Sequence, residues 1–290
     1  MPGLTTRRAS KPASPRLLEL GSVRPDWCWL ALDAAGHVLA RHYWWGRAGS
    51  PRPIGLNHVS SEHAAAAELI IHARGHLDLE QAWCVITAAI EQGEDPSAVQ
   101  AGLVALVLES GFRFEVARVT VEWTNGAALP PRSGRLVFRP ARSLDDELLV
   151  ALFAAVADDS LDHGMVADRA RLGAQEEARR RLDTVRSYRG ERDWFSVAFT
   201  AAGEPVGYTV PGLADDVPMV GEIGVAATHR GHRYVDDLLS FTTAVLAASG
   251  AEAIVGDTDR ANTPMRAAFA RAGYREFAWR DDYRWRRLED

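Results

Sequence analysis

Lysine is almost missing from this chain: of 33 basic residues only Lys11 is a lysine and the other 32 are arginine. With 39 acidic residues and a formal charge of −6, no surplus of positive charge is available to meet nucleic-acid phosphates, which argues against such a partner. Two cysteines, Cys28 and Cys84, are too few for a disulfide framework or a zinc cluster. No run reaches the roughly 18 apolar residues of a membrane span. The basic start, Met1 to Pro15, has no apolar stretch behind it, so it does not read as a secretory signal. His58, His63, His72 and His76 cluster in the first half, yet no carboxylate-plus-histidine set completes a metal site there. Solvated helix positions are their stronger reading, and no metal is expected. The Arg- and Ala-rich usage suits a GC-rich bacterial genome, and a soluble cytoplasmic protein is expected.

What is present is apolar material for more than one core. The 290 residues are 47% hydrophobic, with nine Trp, and at about 150 residues per domain they suggest two domains. Turn formers and a Pro-Pro pair concentrate between Thr124 and Gly134, after the strand-like Val119–Trp123. The expected division is a disordered lead-in at 1–16, a first domain at 17–126, a linker at 127–134 and a second domain at 135–290.

The second domain reads as β-α-α-β-β-β-α-β-α-β-β. Leu136–Arg139 opens it as a strand, and Ser143 is placed to cap a helix through about Ala157. A charged helix follows from Gln175 to Tyr188, then strands at Trp194–Thr200, Val206–Val210 and Met219–Ala226. Leu238, Thr242, Val245 and Leu246 share one face of a helix over Tyr234–Ala248, which Gly250 stops. Ala253–Asp257 is a strand, Pro264–Ala272 a helix ended by Gly273, and two short strands close the chain.

The first domain repeats the later part of that order. Ala34-Ala35-Gly36 matches Ala201-Ala202-Gly203 in a hairpin turn, each after a strand led by Trp29 or Trp194. Gly111-Phe112 ends a helix as Gly273-Tyr274 does, and each glycine lies 12 residues before a Trp, at 123 and 285. The chain is expected to be a tandem repeat whose first copy lacks the opening strand and two helices.

The stretch from Glu222 to Leu239, with Arg230-Gly231-His232-Arg233-Tyr234-Val235 at its centre, resembles the cofactor motif of the GCN5-related N-acetyltransferase family. That motif is Gln/Arg-x-x-Gly-x-Gly/Ala between a strand and a helix. Asn262, Met265 and Gly273-Tyr274 are similar to a second landmark of the family, and the resemblance covers about Arg135 to Asp290. It implies an α/β fold of two tandem domains of this type. Each would have a mixed, mostly antiparallel central sheet flanked by helices, and the complete C-terminal copy a splayed parallel strand pair. It also implies acetyl-CoA as co-substrate, an acetyl group passed to a small-molecule primary amine, and a cofactor held by Ile223, Gly224, Val225, Arg230, Gly231, His232, Arg233, Tyr234, Val235 and Asn262. The physics is independent of the name: a helix N-terminus aims free N–H groups and a positive dipole end at a pyrophosphate.

Arg233 stands where the family has its first glycine, and Val235 replaces the small last residue. Arg74-Gly75-His76 mimics Arg230-Gly231-His232 but falls at the C-terminal end of a helix, where the dipole repels phosphate. A general base is needed, and Glu222 lies where many members carry one; its other reading is an edge-exposed or salt-bridged strand residue. The usual acid position holds Phe269, so Tyr234 and Tyr274 are the replacements, each also a packing candidate. Asp257, together with Glu222, suits a cationic amine, whereas Asp259 reads as the cap of the following helix. Asn262 is either a cofactor contact or a helix cap. The alternative function is a non-catalytic acyl-CoA-binding or sensor protein, and the oligomeric state is not readable.

Overall fold

A computed structural model of the chain describes residues 5–8, 23–46, 55–60, 62–77, 79–89, 100–191, 193–214 and 216–287. The chain forms two compact units, one of Met1–Ala117 with Trp279–Asp290 and the other of Arg118–Ala278. The boundary therefore falls inside two strands, β6 (Arg113–Thr124) and β12 (Arg275–Arg286), rather than at the expected 127–134 segment.

In the first unit the strands β1 (Thr5–Arg8), β2 (Cys28–Leu32), β3 (Val38–Trp45), β4 (Gly55–Ser60) and β5 (Gln81–Ala89) lie side by side in that order, and the end of β12 follows β5. All pairings from β1 to β4 are antiparallel, but β4 and β5 run parallel and pair at Gly55–Trp83 and Leu56–Cys84. Helix α1 (His63–His76) packs on this sheet through Ala65, Ala66, Leu69, Ile70 and Ala73, which recur at helical spacing and are buried with Leu106 and Val107 of α2 (Ala101–Glu109). Trp44 is fully buried in the same core, and both cysteines are buried.

The second unit orders its strands as β7 (Val137–Pro140), β8 (Ser196–Phe199), β9 (Pro205–Ala214), β10 (Val217–Val225), β11 (Ala253–Asp259) and the Arg118–Thr124 part of β6. Three helices, α3 (Asp146–Ala157), α4 (His163–Leu172) and α5 (Ala174–Arg186), precede β8. Leu149, Phe153, Leu182 and Val185 of α3 and α5 are buried against Val197, Tyr208 and Val210 of the sheet. A separate core joins α6 (Tyr234–Ala248) and α7 (Thr263–Arg271) to the sheet through Leu239, Leu246, Ile254 and Phe269. Each such fully buried leucine or phenylalanine stabilises the unit by about 2 kcal/mol.

The repeat is borne out residue by residue. Leu32 and Phe199 each lie four residues before their turn glycine, and they pair with Thr5 and Val137. So β1 is the counterpart of β7: the opening strand expected to be absent is present, inside the segment expected to be disordered. The rest of that segment, residues 1–4 and 9–16, lies outside the described residues. At the other end, Gly111 N–H donates to Leu108 and Phe112 N–H to Val107, while Gly273 N–H donates to Ala270 and Tyr274 N–H to Phe269. These are the same helix-ending pattern twice, with φ of 87° and 83° that favour glycine.

Several local expectations are corrected. Asp145, not Ser143, is the N-cap of α3, since Ser143 sits in the short turn before it. Helix α4 was not readable because only Met165 of its ten residues is buried, leaving no apolar stripe. One twelve-residue strand, β12, replaces the two short strands at the end. The 127–134 segment is not a free tether: Pro130 O accepts from Ser240 Oγ at 2.8 Å, and Ser133 Oγ donates to Asp237 on α6.

Candidate active site

Strands β10 and β11 run parallel but pair only at Met219–Val255, so they part along the rest of their length. On its other side β10 stays paired with β9 up to Val225–Gly207, and the next residue closes that ladder with Ala226 N–H to Val206 O at 2.9 Å. Backbone groups alternate along a strand, so Glu222, Gly224 and Ala226 face β9, while the N–H and C=O of Ile223 and Val225 face the gap toward β11. This is the splayed pair expected of the C-terminal copy.

Beyond Val225 the chain turns through a short 3-10 segment, Ala227–His229, into α6. Helix α6 has no side-chain cap, and among the described residues no acceptor meets the N–H groups of Gly231, His232, Tyr234 and Val235. Four such donors lie at or just before a helix N-terminus, which suits an anion. Gly231 has φ 82° and Arg233 φ 59°, so Arg233 keeps the left-handed backbone of the glycine it replaces. Its guanidinium pairs with Asp236 at 2.7 Å, and Asp236 also binds Arg271 at 2.6 Å. Val235 packs against the cluster that holds Leu239 and Ile254, so its branched side chain is directed into the core.

Arg230 was expected to face the cofactor, but its side chain turns back onto the protein. Nη2 donates to Val156 O at 2.7 Å, Nη1 to Asp159 O at 2.8 Å and Nε to Val225 O at 3.3 Å. Free carbonyls at the C-terminal end of α3 attract this cation. Gly224 is explained by packing, because a Cβ there would collide with Val156 of α3. Arg135, absent from the expected set, reaches the loop from before β7: it donates to His232 O at 3.1 Å, pairs with Asp237 and lies 5.0 Å over the Tyr234 ring.

A bulge at Gly221 decides where Glu222 points. The β9–β10 register slips between Val220 and Glu222, and the two residues, which would otherwise share a face, point to opposite ones. Val220 joins the α6–α7 core, whereas Glu222 faces α5. There the Tyr208 hydroxyl donates to Glu222 Oε1 at 2.6 Å, and Arg181 Nη1 lies 3.4 Å from Oε2. Arg181 also donates to Glu177 at 2.5 Å, and the second oxygen of the buried Glu177 has no hydrogen-bond partner among the described residues. Burial pushes the Glu222 carboxyl up from its ordinary range, while Arg181 and the Tyr208 hydrogen bond pull it back. Burial, aided by the Glu222 charge, holds the Tyr208 hydroxyl protonated well beyond the usual tyrosine range. The salt-bridged reading of Glu222 is thus realised, in a setting that also perturbs its titration. Tyr208 and Arg181 are functional candidates that sequence reasoning missed; a lone Tyr in the apolar run Val206–Val210 was the available signal.

The two replacement acids are not brought to Glu222. Tyr234 packs beside Leu136, Val206 and Leu238, on the face of β10 occupied by Ile223 and Val225, opposite to Glu222. Tyr274 is buried in the α6–α7 core, shares a hydrogen bond with Thr243 at 2.8 Å, and burial pushes its hydroxyl up to about 12. Phe269 is fully buried beside it. Asn262 is the N-cap of α7, accepting from Met265 N–H at 3.2 Å. Asp257 accepts from Thr120 Oγ1 at 2.8 Å at the one exposed position of β11. Asp259 does not cap the helix after it; it is buried, accepts from His163 N–H at 2.6 Å at the start of α4, and burial raises its carboxyl.

In the first unit, α1 starts three residues after β4 ends, and Arg74-Gly75-His76 lies in its last turn. The rings of His72 and His76 meet at 4.4 Å in a tilted contact, His72 meets Trp29 edge-on at 5.6 Å and His76 meets it tilted at 5.4 Å, so they are not merely solvated. His63 pairs with Glu109 at 3.0 Å, and the side chain of His58 lies outside the described residues. Among the described residues no three His, Cys, Asp or Glu are grouped to hold a metal, and no helix is long and apolar enough to cross a membrane.

No protein-family profile matches the chain, and no curated protein matches it by sequence. Solved structures do. A GCN5-related N-acetyltransferase from Sphaerobacter thermophilus superposes with a TM-score of 0.62 at 16% identity, over 99% of this chain and 97% of that one. A tandem protein of the same type, from the clavulanic acid biosynthesis pathway, gives 0.52 at 16% identity over 91% and 83%. One from Kribbella flavida gives 0.54 at 14% identity over 85% and 87%. The chain has the tandem fold of the GCN5-related N-acetyltransferases.

Proposed function

We propose that this chain is an acyl-CoA-dependent N-acyltransferase whose second unit moves an acetyl group from acetyl-CoA to a primary amine of a small molecule. The observation that carries the reading is the parting of β10 from β11. It turns the backbone groups of Ile223 and Val225 into a gap that leads to the uncapped start of α6. A pyrophosphate fits the free N–H groups of Gly231, His232, Tyr234 and Val235, with Arg135 adding positive charge beside them. A thioester carbonyl in the gap would meet the Val225 N–H.

In this reading the amine nitrogen attacks the thioester carbon, the carbon–sulfur bond breaks, and Glu222 takes the proton the nitrogen sheds. Arg181 favours the ionised form of Glu222 against its desolvation, and the Tyr208 hydroxyl holds its orientation. Thiolate is a tolerable leaving group, so water suffices to protonate it, in keeping with Phe269 at the usual acid position. A second reading, acyl-CoA binding without turnover, is favoured by the placement of Tyr234 and Tyr274 away from Glu222.

Calorimetric titration with acetyl-CoA, followed by an amine panel, tests both. Wild type and Glu222→Gln are expected to bind acetyl-CoA alike, with turnover in the variant reduced by about 10²–10⁴-fold. Binding with no turnover on any amine supports the second reading, and no binding at millimolar acetyl-CoA overturns both.

A further inference from the structure

Helix α5 turns Glu177, Ala178, Leu182 and Val185 into the core, and Glu177 is only 2% exposed. A carboxylate at that depth needs a partner for each oxygen. Oε1 has one: Arg181, one helical turn on, donates to it at 2.5 Å. Oε2 has none among the described residues. The neighbouring pair Glu176–Arg180 has the same spacing, at 2.7 Å, but both of its side chains reach solvent. A buried ion pair adds little to stability, because desolvation offsets the attraction. Helix stability therefore does not account for a buried carboxylate with one oxygen bare. The guanidinium that Glu177 holds lies between two carboxylates and is shared unequally. Arg181 Nε closes to 2.5 Å on Glu177, whereas Nη1 stands 3.4 Å from Glu222 Oε2. Charge-assisted N–H···O bonds normally close to about 2.7–2.9 Å, so the contact with Glu222 is loose. Glu222 Oε1 is already engaged by the Tyr208 hydroxyl at 2.6 Å. Oε2 is thus the oxygen with room for a further proton.

We propose that Glu177 is a positioning residue: it withholds the Arg181 guanidinium from Glu222 and leaves Glu222 Oε2 to accept the proton that the amine sheds. The proposal rests on the transferase reading. A carboxylate in a tight guanidinium pair is a weak base, while one with no cation near it in this half-buried place would already hold a proton. A shared cation sets Glu222 between these extremes. Among the described residues, the charged and titratable groups facing Glu222 are Tyr208 on β9, Arg181 on α5 and Asp162 at the start of α4. Desolvation pushes the Glu222 carboxyl up, the Arg181 charge and the Tyr208 hydrogen bond pull it down, and the Asp162 charge pushes it up again. Glu177 acts on it through Arg181.

NMR titration of the glutamate carboxyl carbons in the free protein tests this, with the Glu222 signal identified by its loss in Glu222→Gln. Glu177→Gln keeps the size of the side chain and an acceptor for Arg181 but removes the charge that holds it. The Glu222 midpoint is expected to fall by about one pH unit in that variant, as the cation closes on Glu222. Arg181→Lys should move it the other way, because a point-charge ammonium held by Glu177 no longer reaches Glu222. With a turned-over amine, the acid limb of kcat/KM should follow the midpoint down in Glu177→Gln, and plateau kcat should drop about threefold. A folded Glu177→Gln whose midpoint stays or rises overturns the proposal, since the pair would then serve α5 alone. Should Glu177→Gln fail to fold, Arg181→Lys decides: a raised midpoint supports the shared cation, and an unmoved one overturns it. If no amine is turned over, the transferase reading fails, and the titration still judges the hold on Arg181. A lowered midpoint in Glu177→Gln then supports it, and an unmoved one overturns it.

Discussion

Tyr208 and Glu222 lie diagonally across the antiparallel β9–β10 pair, and the Tyr208 hydroxyl donates to Glu222 Oε1 at 2.6 Å. The contact exists because the bulge at Gly221 turns Glu222 onto the face that Tyr208 already occupies. It makes a half-buried carboxylate depend on a neutral donor and on Arg181, and both partners can be removed singly.

Tyr208→Phe should lower stability by about 1–3 kcal/mol, the worth of a hydrogen bond to a charged, half-buried acceptor. The Tyr208 bond favours the ionised form of Glu222, so its loss moves the Glu222 pKa further up. A folded-state pKa above the unfolded one contributes stability that is complete below the unfolded value and fades as pH rises through the folded value. The stability difference between wild type and variant should therefore be smallest in acid and grow with rising pH. Urea unfolding at several pH values checks this. Where Glu222 serves as base, the acid limb of the kcat/KM profile should shift to higher pH.

Arg233 carries φ 59° at the start of α6, a conformation that costs a side-chain-bearing residue about 1–2 kcal/mol relative to glycine. Arg233→Gly and Arg233→Ala both remove the pairing with Asp236, and only the first removes the strain. The glycine variant should therefore be the more stable of the two by about 1 kcal/mol in thermal or urea unfolding. Equal stabilities would show that the left-handed backbone is not the cause.

The division of the chain inside β6 and β12 makes a prediction about fragments. A fragment of residues 118–278 retains Arg118–Thr124, which pairs with β11 from Asp259–Arg118 to Ala253–Thr124 and supplies buried Val121 and Trp123 to the α6–α7 core. A fragment of residues 135–290 loses that strand and instead carries Trp279–Asp290, which belongs to the first unit. The first should unfold cooperatively and resist limited proteolysis. The second should do neither, because it leaves one edge of β11 bare and a core half open.

Much of the secondary structure was legible because its causes are local. The stripe Leu238–Thr242–Leu246 and the stop at Gly250 placed α6 at Tyr234–Ala248, and the paired glycines at 36 and 203, and at 111 and 273, exposed the repeat. Each signal depends on one residue's backbone freedom or on the 3.6-residue helical period, neither of which needs a distant partner. Helix α4 escaped because a helix with one buried residue leaves no such stripe.

What the tertiary structure alone decided are the relationships between residues far apart in sequence. A single extra residue at Gly221 sends Glu222 to the α5 face and toward Tyr208 and Arg181, while Tyr234 stays on the opposite face. Residue spacing cannot show a bulge, because side-chain alternation reverses at one residue without any change in composition. Arg230 likewise looks from the sequence like a ligand for phosphate, and only the nearness of the Val156 and Asp159 carbonyls makes it a tie within the protein. The sequence by itself determined most of the elements, though not β1 or α4, together with the repeat and the loop; sheet register and helix packing decided which side chains meet, since those contacts depend on distances that no local pattern encodes.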